Sequence, residues 1–157
     1  MLSTESIAKI DQELAKYPPE RKASGVMAAL RIAQEEKGWV SSDIVQFVAN
    51  YLEMPPIAVQ EVATFYNMYD LEPVGRHKLC ICTNLPCALS GANEMAAYLK
   101  RKLGIDFGET TKDGRFSLRE GECFGACGDA PLVLHNNNKM ISLLTEEKAD
   151  QVLGEMK

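Results

Sequence analysis

The first seventy residues of the chain carry hydrophobic side chains at helical intervals. Ile7, Ile10 and Leu14 recur at steps of three and four residues, which places them on one face of a helix. Stripes of this kind occupy four segments, residues 5–16, 22–37, 44–52 and 59–68. Because short helices joined by short connections pack as a bundle, the pattern predicts a helical bundle domain over residues 1–74.

The pattern changes to short alternating runs after Glu72-Pro73-Val74-Gly75. The predicted elements are strands at 77–82, 115–119, 131–134 and 139–141, a helix at 86–103, and a final helix that Thr145 caps. The first of these helices carries Leu89 and Leu99 on its buried stripe. The order strand, helix, three strands and helix predicts an α/β layer over residues 75–157.

The composition is that of a globular protein and argues against several classes of function. The 157 residues are 46% hydrophobic and 25% charged, with a net charge of -5. This acidic balance disfavours nucleic acid and anionic membranes as partners, and no apolar run approaches the length of a membrane span. The N-terminal stretch resembles neither a signal peptide nor a transit peptide, so we expect a reducing cytosol in which disulfides are rare.

Four of the five cysteines form two tight pairs. Cys82 and Cys87 are spaced C-x4-C, and Cys123 and Cys127 are spaced C-x3-C. Four thiolates of this kind are the usual ligand set of a 2Fe-2S cluster. Such a cluster is an anion, and the predicted layout suits it, because Cys87 falls in the first turn of a helix and glycines flank the second pair. We also expect Phe124, Leu85 and Pro131 to keep water from the site.

Other interpretations of the cysteines remain open at this point. A structural zinc site also uses four cysteines, whereas a disulfide pair is disfavoured by the compartment and by the odd count. Cys80 shares a strand face with Cys82, so an exchange of ligands is conceivable, although a small buried hydrophobic residue is the better interpretation. His77 and His135 are conceivable Rieske-type ligands, but the four cysteines make surface or strand-edge roles the better expectation.

The sequence resembles a known family in several segments. They are Gln34-Glu35-Glu36-Lys37-Gly38-Trp39-Val40, Val62-Ala63-Thr64-Phe65-Tyr66, Cys82-Thr83-Asn84-Leu85-Pro86-Cys87, Asp113-Gly114-Arg115-Phe116 and Glu122-Cys123-Phe124-Gly125-Ala126-Cys127. The family is the thioredoxin-like 2Fe-2S subunit of the NADH dehydrogenase module of respiratory complex I, found in bacteria and in mitochondria. Gly121 and Phe124 depart from it, because aliphatic residues usually occupy both positions.

The resemblance implies a fold, a ligand set and a role. The fold is a helical bundle followed by a thioredoxin-like 2Fe-2S ferredoxin domain, and the ligands are Cys82, Cys87, Cys123 and Cys127, with Cys80 outside the site. One 2Fe-2S cluster exchanges single electrons with FMN in a partner flavoprotein subunit that oxidises NADH. FMN and NADH are expected in that partner only, because this chain has neither a GxGxxG motif opening a helix nor a P-loop.

The expected protein is thus a subunit of NADH:quinone oxidoreductase that has no catalytic residues of its own. It is expected to be cytoplasmic and peripheral to the bacterial inner membrane as part of a complex. Three alternatives stay open: the small 2Fe-2S subunit of an NAD-linked hydrogenase or formate dehydrogenase, a free-standing ferredoxin-like carrier, and a zinc-stabilised interaction module.

Overall fold

A computed structural model describes residues 1–156 of the chain. These residues form two compact units, Met1–Pro73 and a second unit that begins at Val74. Within the described residues, no helix has both the length and the apolar character needed to cross a bilayer.

The first unit is helical, as the hydrophobic pattern predicts. Its helices are α1 (Thr4–Leu14), α2 (Val26–Lys37), α3 (Ser42–Leu52) and α4 (Pro56–Phe65), with a 3-10 turn at Pro19–Gly25 between α1 and α2. The side chains of Ser3 and Ser41 cap α1 and α3 by accepting hydrogen bonds from backbone N–H groups, which satisfies donors that the first turn leaves unpaired. Gly38 ends α2 in the left-handed conformation, with φ of 85°.

The core of the helical unit is formed by one face of each helix. Leu30, Val48 and Val59 are fully buried, and burying a side chain of this size contributes roughly 1.5–3 kcal/mol. Helix α4 is shorter than the stripe over 59–68 predicts, because the chain leaves the helix after Phe65. Tyr69 instead packs into the core and donates a hydrogen bond from its hydroxyl to the Met27 carbonyl at 2.8 Å.

The second unit is built on a four-stranded mixed sheet. The strands are β1 (His77–Cys82), β2 (Phe116–Gly121), β3 (Val133–His135) and β4 (Lys139–Ile141), in the spatial order β2-β1-β3-β4. Strand β1 runs parallel to β2 and antiparallel to β3, and β3 and β4 form the predicted hairpin. The helices of this unit are α5 (Leu85–Leu89), α6 (Ala92–Leu103) and α7 (Glu146–Glu155).

The core of the second unit lies between the sheet and the two longer helices. Leu79 and Ile81 of β1 pack in one cluster with Leu99 of α6 and Leu153 of α7. Alternation along β1 directs the intervening side chains to the other face of the sheet. Thr145 caps α7 as predicted, because its hydroxyl accepts a hydrogen bond from the Lys148 N–H at 3.2 Å.

The prediction of one continuous helix over 86–103 is wrong. The segment contains two helices, α5 and α6, and Gly91 between them has φ of 90°. The left-handed conformation interrupts the helical hydrogen-bond ladder, so the stripe that looks continuous in the sequence changes direction at this residue. Leu89, which we expected to be buried, is therefore 81% exposed, whereas Leu99 is buried.

Candidate metal centre

The two cysteine segments meet because the strands before them are parallel neighbours. Cys82 is the last residue of β1 and lies opposite Gly121, the last residue of β2. Both loops therefore leave the sheet at the same edge. Two hydrogen bonds link the loop after β1 to the end of β2 and the loop that follows it. They run from Thr83 to the Glu120 carboxylate at 2.7 Å and from Asn84 to the Glu122 carboxylate at 3.4 Å.

Two other predicted ligands lie near Cys87, which is in the first turn of α5 as predicted. The thiols of Cys82 and Cys127 are close enough to act on the pKa of the Cys87 thiol. Cys82 and Cys87 are both 1% exposed. Burial, followed by the neighbouring Cys82 sulfur, raises the pKa of the Cys87 thiol to about 11. Without a metal this thiol is protonated at neutral pH, whereas a coordinated thiol is deprotonated.

Cys123 lies at the exposed side of the site. Its Sγ accepts a hydrogen bond from the Gly125 N–H at 3.3 Å, and Gly125 has φ of 73°. The left-handed conformation lets the backbone turn back on the sulfur, as we expected of the glycines in this loop. Among residues 1–156, no group of three or more His, Cys, Asp or Glu side chains has an arrangement ready to hold a metal ion.

Apolar side chains pack around the buried cysteines. Ala92 and Leu132 are fully buried in the same cluster as Cys82 and Cys87, and Phe124 packs against that cluster. The expectation that Leu85 also excludes water is wrong, because its side chain is 72% exposed.

The other residues that we considered as ligands are Cys80, His77 and His135. Cys80 is half-buried rather than buried, and its Sγ would lie 2.9 Å from a Cβ atom placed on Gly121. His77 and His135 contact each other, with 3.1 Å between Nδ1 and Nε2. His77 is five residues before Cys82 on β1, a strand length of about 17 Å, so the histidines lie at the opposite end of the strand.

The chemistry of this donor set fits an iron–sulfur cluster. Thiolates are soft ligands that select iron–sulfur clusters, zinc and copper(I), whereas magnesium and calcium require oxygen ligands. None of the four predicted ligands forms a disulfide, so their thiols are available for coordination. The charge of a four-thiolate cluster also calls for N–H donors, and the Gly125 amide already provides one at Cys123.

The sequence analysis does not predict that one face of α5 is exposed. Leu85 and Leu89 are four residues apart and both exposed, which places them on the same side of the short helix. Gly91 indicates a helix end only two residues after Leu89. The position of this glycine in the sequence is therefore the feature that indicates that the hydrophobic stripe does not continue into α6.

Comparison with known proteins places this geometry in a family. The family model described as thioredoxin-like [2Fe-2S] ferredoxin matches residues 10–157. The E subunit of the NADH-quinone oxidoreductase of Rickettsia bellii is 43% identical over 145 residues, which cover 92% of this chain and 86% of that protein. NADH-quinone oxidoreductase subunit 2 of Thermus thermophilus is 36% identical over 145 residues, covering 92% of this chain and 80% of its own length.

A solved structure shares the fold. The crystal structure of an NAD+-reducing [NiFe]-hydrogenase in the H2-reduced state aligns with a TM-score of 0.73 at 20% identity, covering 84% of this chain and 22% of that one. Because the family model spans most of the chain and the relatives align over nine-tenths of it, this protein is a member of the thioredoxin-like [2Fe-2S] ferredoxin family.

Proposed function

We propose that this protein is the electron-transfer subunit of an NADH:quinone oxidoreductase and carries one 2Fe-2S cluster on Cys82, Cys87, Cys123 and Cys127. The observation that carries the proposal is the parallel pairing of β1 and β2, which brings the two cysteine-bearing segments to one edge of the sheet in a chain of the thioredoxin-like [2Fe-2S] ferredoxin family. Cys123, four residues before Cys127 in the same segment, is the fourth ligand in this proposal.

The cluster, when bound, supplies reversible one-electron chemistry. Two buried cysteines, Cys82 and Cys87, and two exposed ones, Cys123 and Cys127, would hold it. Ala92, Leu132 and Phe124 exclude water on the inner side, and the Gly125 N–H hydrogen bond offsets negative charge on the Cys123 sulfur. Both effects tune the reduction potential of a cluster.

The electron partner in this proposal is FMN in a flavoprotein subunit of the same complex, where NADH is oxidised. The names of the two relatives, both subunits of an NADH-quinone oxidoreductase, support a complex in which NADH is oxidised, and FMN is what the family resemblance implies. The absence from the sequence of a GxGxxG motif before a helix and of a P-loop supports placing both nucleotides in the partner. In such a complex the chain is cytoplasmic and peripheral to the inner membrane.

A similar subunit of an NAD-linked hydrogenase is the second candidate. The shared fold with the NAD+-reducing [NiFe]-hydrogenase favours it, but that similarity is at 20% identity and shows the fold alone. The relatives at 36% and 43% identity are named as quinone oxidoreductase subunits. We therefore prefer the quinone-linked assembly over the hydrogenase.

The test is spectroscopy of the purified chain with its metal content. We expect two irons and two sulfides per chain, with an EPR signal of a 2Fe-2S cluster after dithionite reduction. Serine at Cys82, Cys87, Cys123 or Cys127 should abolish or alter the signal, and Cys80→Ala is the matched control that should keep it. One zinc and no iron would establish the zinc module, and loss of the signal in Cys80→Ala with a harmless Cys82→Ala would overturn the ligand set.

The electron partner is tested separately. The chain is mixed with the purified FMN-containing subunit of the same organism's complex, and NADH is added under anaerobic conditions. Appearance of the reduced-cluster EPR signal only when both proteins are present supports the proposal. A cluster whose reduction potential lies above that of the NAD+/NADH couple, but that NADH and the flavoprotein leave oxidised, would contradict FMN as the electron partner.

A further inference from the structure

Two glutamates hold together the two stretches of chain that carry the predicted ligands. We call residues 82–87 the first cysteine segment and residues 123–127 the second. We propose that Glu120 and Glu122 are positioning residues, which fix the second segment against the first for binding of the cluster and whose negative charges oppose its reduction. The inference rests on the proposed function and deepens it, because it assigns a role at the site to residues outside the ligand set.

The stronger of the two contacts starts at the residue after Cys82. The hydroxyl of Thr83 donates a hydrogen bond to Oε1 of Glu120 at 2.7 Å. This length is typical of a hydroxyl bonded to a carboxylate, and bonds of this kind are roughly twice as strong as those between neutral groups. The pairing of β1 with β2 ends at Cys82. The Thr83 side chain therefore extends the link between the two strands beyond the end of their backbone ladder.

The second contact uses a side chain that would ordinarily cap a helix. Asn84 occupies the N-cap position of α5, but its side chain makes no capping hydrogen bond, although asparagine at this position usually accepts one from the first turn. Its Nδ2 instead donates to Oε2 of Glu122 at 3.4 Å. This length exceeds the usual range of about 2.7–3.2 Å, so the bond is the weaker one. The Asn84 side chain thus contacts the residue next to Cys123 in place of its own helix.

The second cysteine segment depends on such contacts because it has little regular structure. Strand β2 ends at Gly121 and the next 3-10 turn begins at Cys127, so the residues between them lie in neither helix nor strand. The first segment, by contrast, directly follows β1, which is paired on both sides, and continues into α5. The bonds to Glu120 and Glu122 therefore tie the loop before Cys123 to a more regular part of the fold.

The same two carboxylates add negative charge beside the site. Residues 80–91 and 120–131 contain no lysine or arginine, and alternation along β2 directs Arg119 to the opposite face from Glu120. Among residues 1–156, neither Glu120 nor Glu122 forms a salt bridge. A cluster becomes more negative on reduction, so these charges lower its reduction potential. Both side chains are exposed, so salt screens the effect.

Release of iron tests the positioning role. The cluster-loaded chain is mixed with an excess of an iron chelator, and loss of the visible absorbance of the cluster gives the rate. We expect Glu120→Ala and Thr83→Val each to speed release by about twofold to tenfold, as the net contribution of one hydrogen bond implies. The double variant should be no faster than the faster single one, because both remove the same bond. Asn84→Ala should have a smaller effect.

Matched variants separate this bond from a general effect of substitution. Thr83→Ser keeps the hydroxyl and Glu120→Gln keeps an acceptor, so both should release iron at the wild-type rate. Glu155→Ala is the control, because Glu155 on α7 also accepts a hydrogen bond from a neutral side chain, that of Gln151 at 2.9 Å. It should leave the release rate unchanged.

The reduction potential tests the effect of charge. It is measured at low salt by a redox titration that follows the EPR signal of the reduced cluster. We expect Glu120→Gln and Glu122→Gln each to raise the potential and Glu155→Gln to leave it unchanged. A contact that was merely structural would not shift the potential of Glu120→Gln, which retains the hydrogen bond from Thr83.

The outcomes separate this inference from the proposed function. If the loaded wild-type chain has the 2Fe-2S signal, but Glu120→Ala and Thr83→Val release iron at its rate, the positioning role is overturned and the proposed function stands. An effect of Glu155→Ala as large as that of Glu120→Ala overturns it too. If a variant takes up no cluster, circular dichroism decides: a folded chain supports the positioning role, and for an unfolded one the comparison of Thr83→Ser with Thr83→Val replaces it. A wild-type chain with zinc and no iron overturns both proposals.

Discussion

The aromatic ring of Phe124 occupies the space that a side chain on Gly121 would need. A Cβ atom at Gly121 would lie 2.5 Å from Cζ of Phe124 and 2.9 Å from Sγ of Cys80. Gly121 and Phe124 are two of the positions at which we expect the sequence to depart from the family that it resembles. In the structure, the missing side chain at Gly121 makes room for the large one at Phe124, in the loop that carries Cys123.

Adding a methyl group at this contact should destabilise the protein. We expect Gly121→Ala to lower the free energy of unfolding by about 1–3 kcal/mol, the usual cost of overpacking a core. Urea denaturation of the cluster-loaded protein measures it. Gly154→Ala is the matched control, since Gly154 lies in α7 with nothing within 4 Å of its added Cβ, and alanine there should be neutral or stabilising. Phe124→Leu should recover part of the Gly121→Ala loss, and additive effects would contradict the direct contact.

The helix break at Gly91 depends on backbone conformation rather than on space. A Cβ atom there would meet its nearest neighbours only at 3.9 Å, but φ is 90°. We expect Gly91→Ala to cost roughly 1–2 kcal/mol because an L-residue is strained in this region, with Gly91→Asn costing less. Denaturation of the three proteins side by side gives the ranking. Equal stability of the alanine variant and the wild type would show that the break does not require glycine.

The contact between His77 and His135 should make stability depend on pH. Burial, then the neighbouring His77 and Lys139, lowers the pKa of His135 below its usual 6.5. The folded state binds a proton at His135 less readily than the unfolded state does. The free energy of unfolding is therefore unaffected by His135 above about pH 6.5, and it decreases as the pH falls from there toward the lowered pKa. We expect the urea midpoint to be lower at pH 5.5 than at pH 7.5.

NMR of the imidazole rings provides a direct check, because the chain has only two histidines. The carboxyl groups with lowered pKa values, such as Asp106 and Asp150, titrate below pH 5.5. They therefore do not contribute to the change in urea midpoint between pH 5.5 and pH 7.5. His135→Gln should flatten the pH dependence of the midpoint. A His135 ring that titrates above 6.5 would reverse the predicted sign.

Removing the metal should leave thiols of unequal reactivity. Cys87 is buried with a raised pKa, whereas Cys123 and Cys127 are exposed. Since the thiolate is the reactive form, iodoacetamide at pH 7.5 should modify Cys123 and Cys127 well before Cys87 in the folded, iron-free chain. Mass spectrometry of digested samples over time gives the order. Cys87 reacting as fast as Cys123 would show that the site opens without metal.

Local patterns were sufficient to predict most of the elements. Strand β1 has the predicted bounds, His77–Cys82, because alternating apolar residues follow a glycine. Thr145 caps α7, and the hairpin turns through Asn136 and Asn137, which both have positive φ. Such features depend on a few neighbouring residues, so they are readable from sequence. Strand β3 begins at Val133, two residues after the prediction, since its start depends on pairing with β1.

The spacings in the sequence were enough to single out Cys82, Cys87, Cys123 and Cys127 as residues with the chemistry of a cluster site. The relative position of the two cysteine-bearing segments depends on the tertiary fold. Parallel pairing of β1 and β2 brings the two loops to one edge, a contact between residues far apart in the chain. The structure likewise decided that Leu89 is exposed, because one left-handed residue, Gly91, redirects a helix whose hydrophobic period continues unchanged across the break.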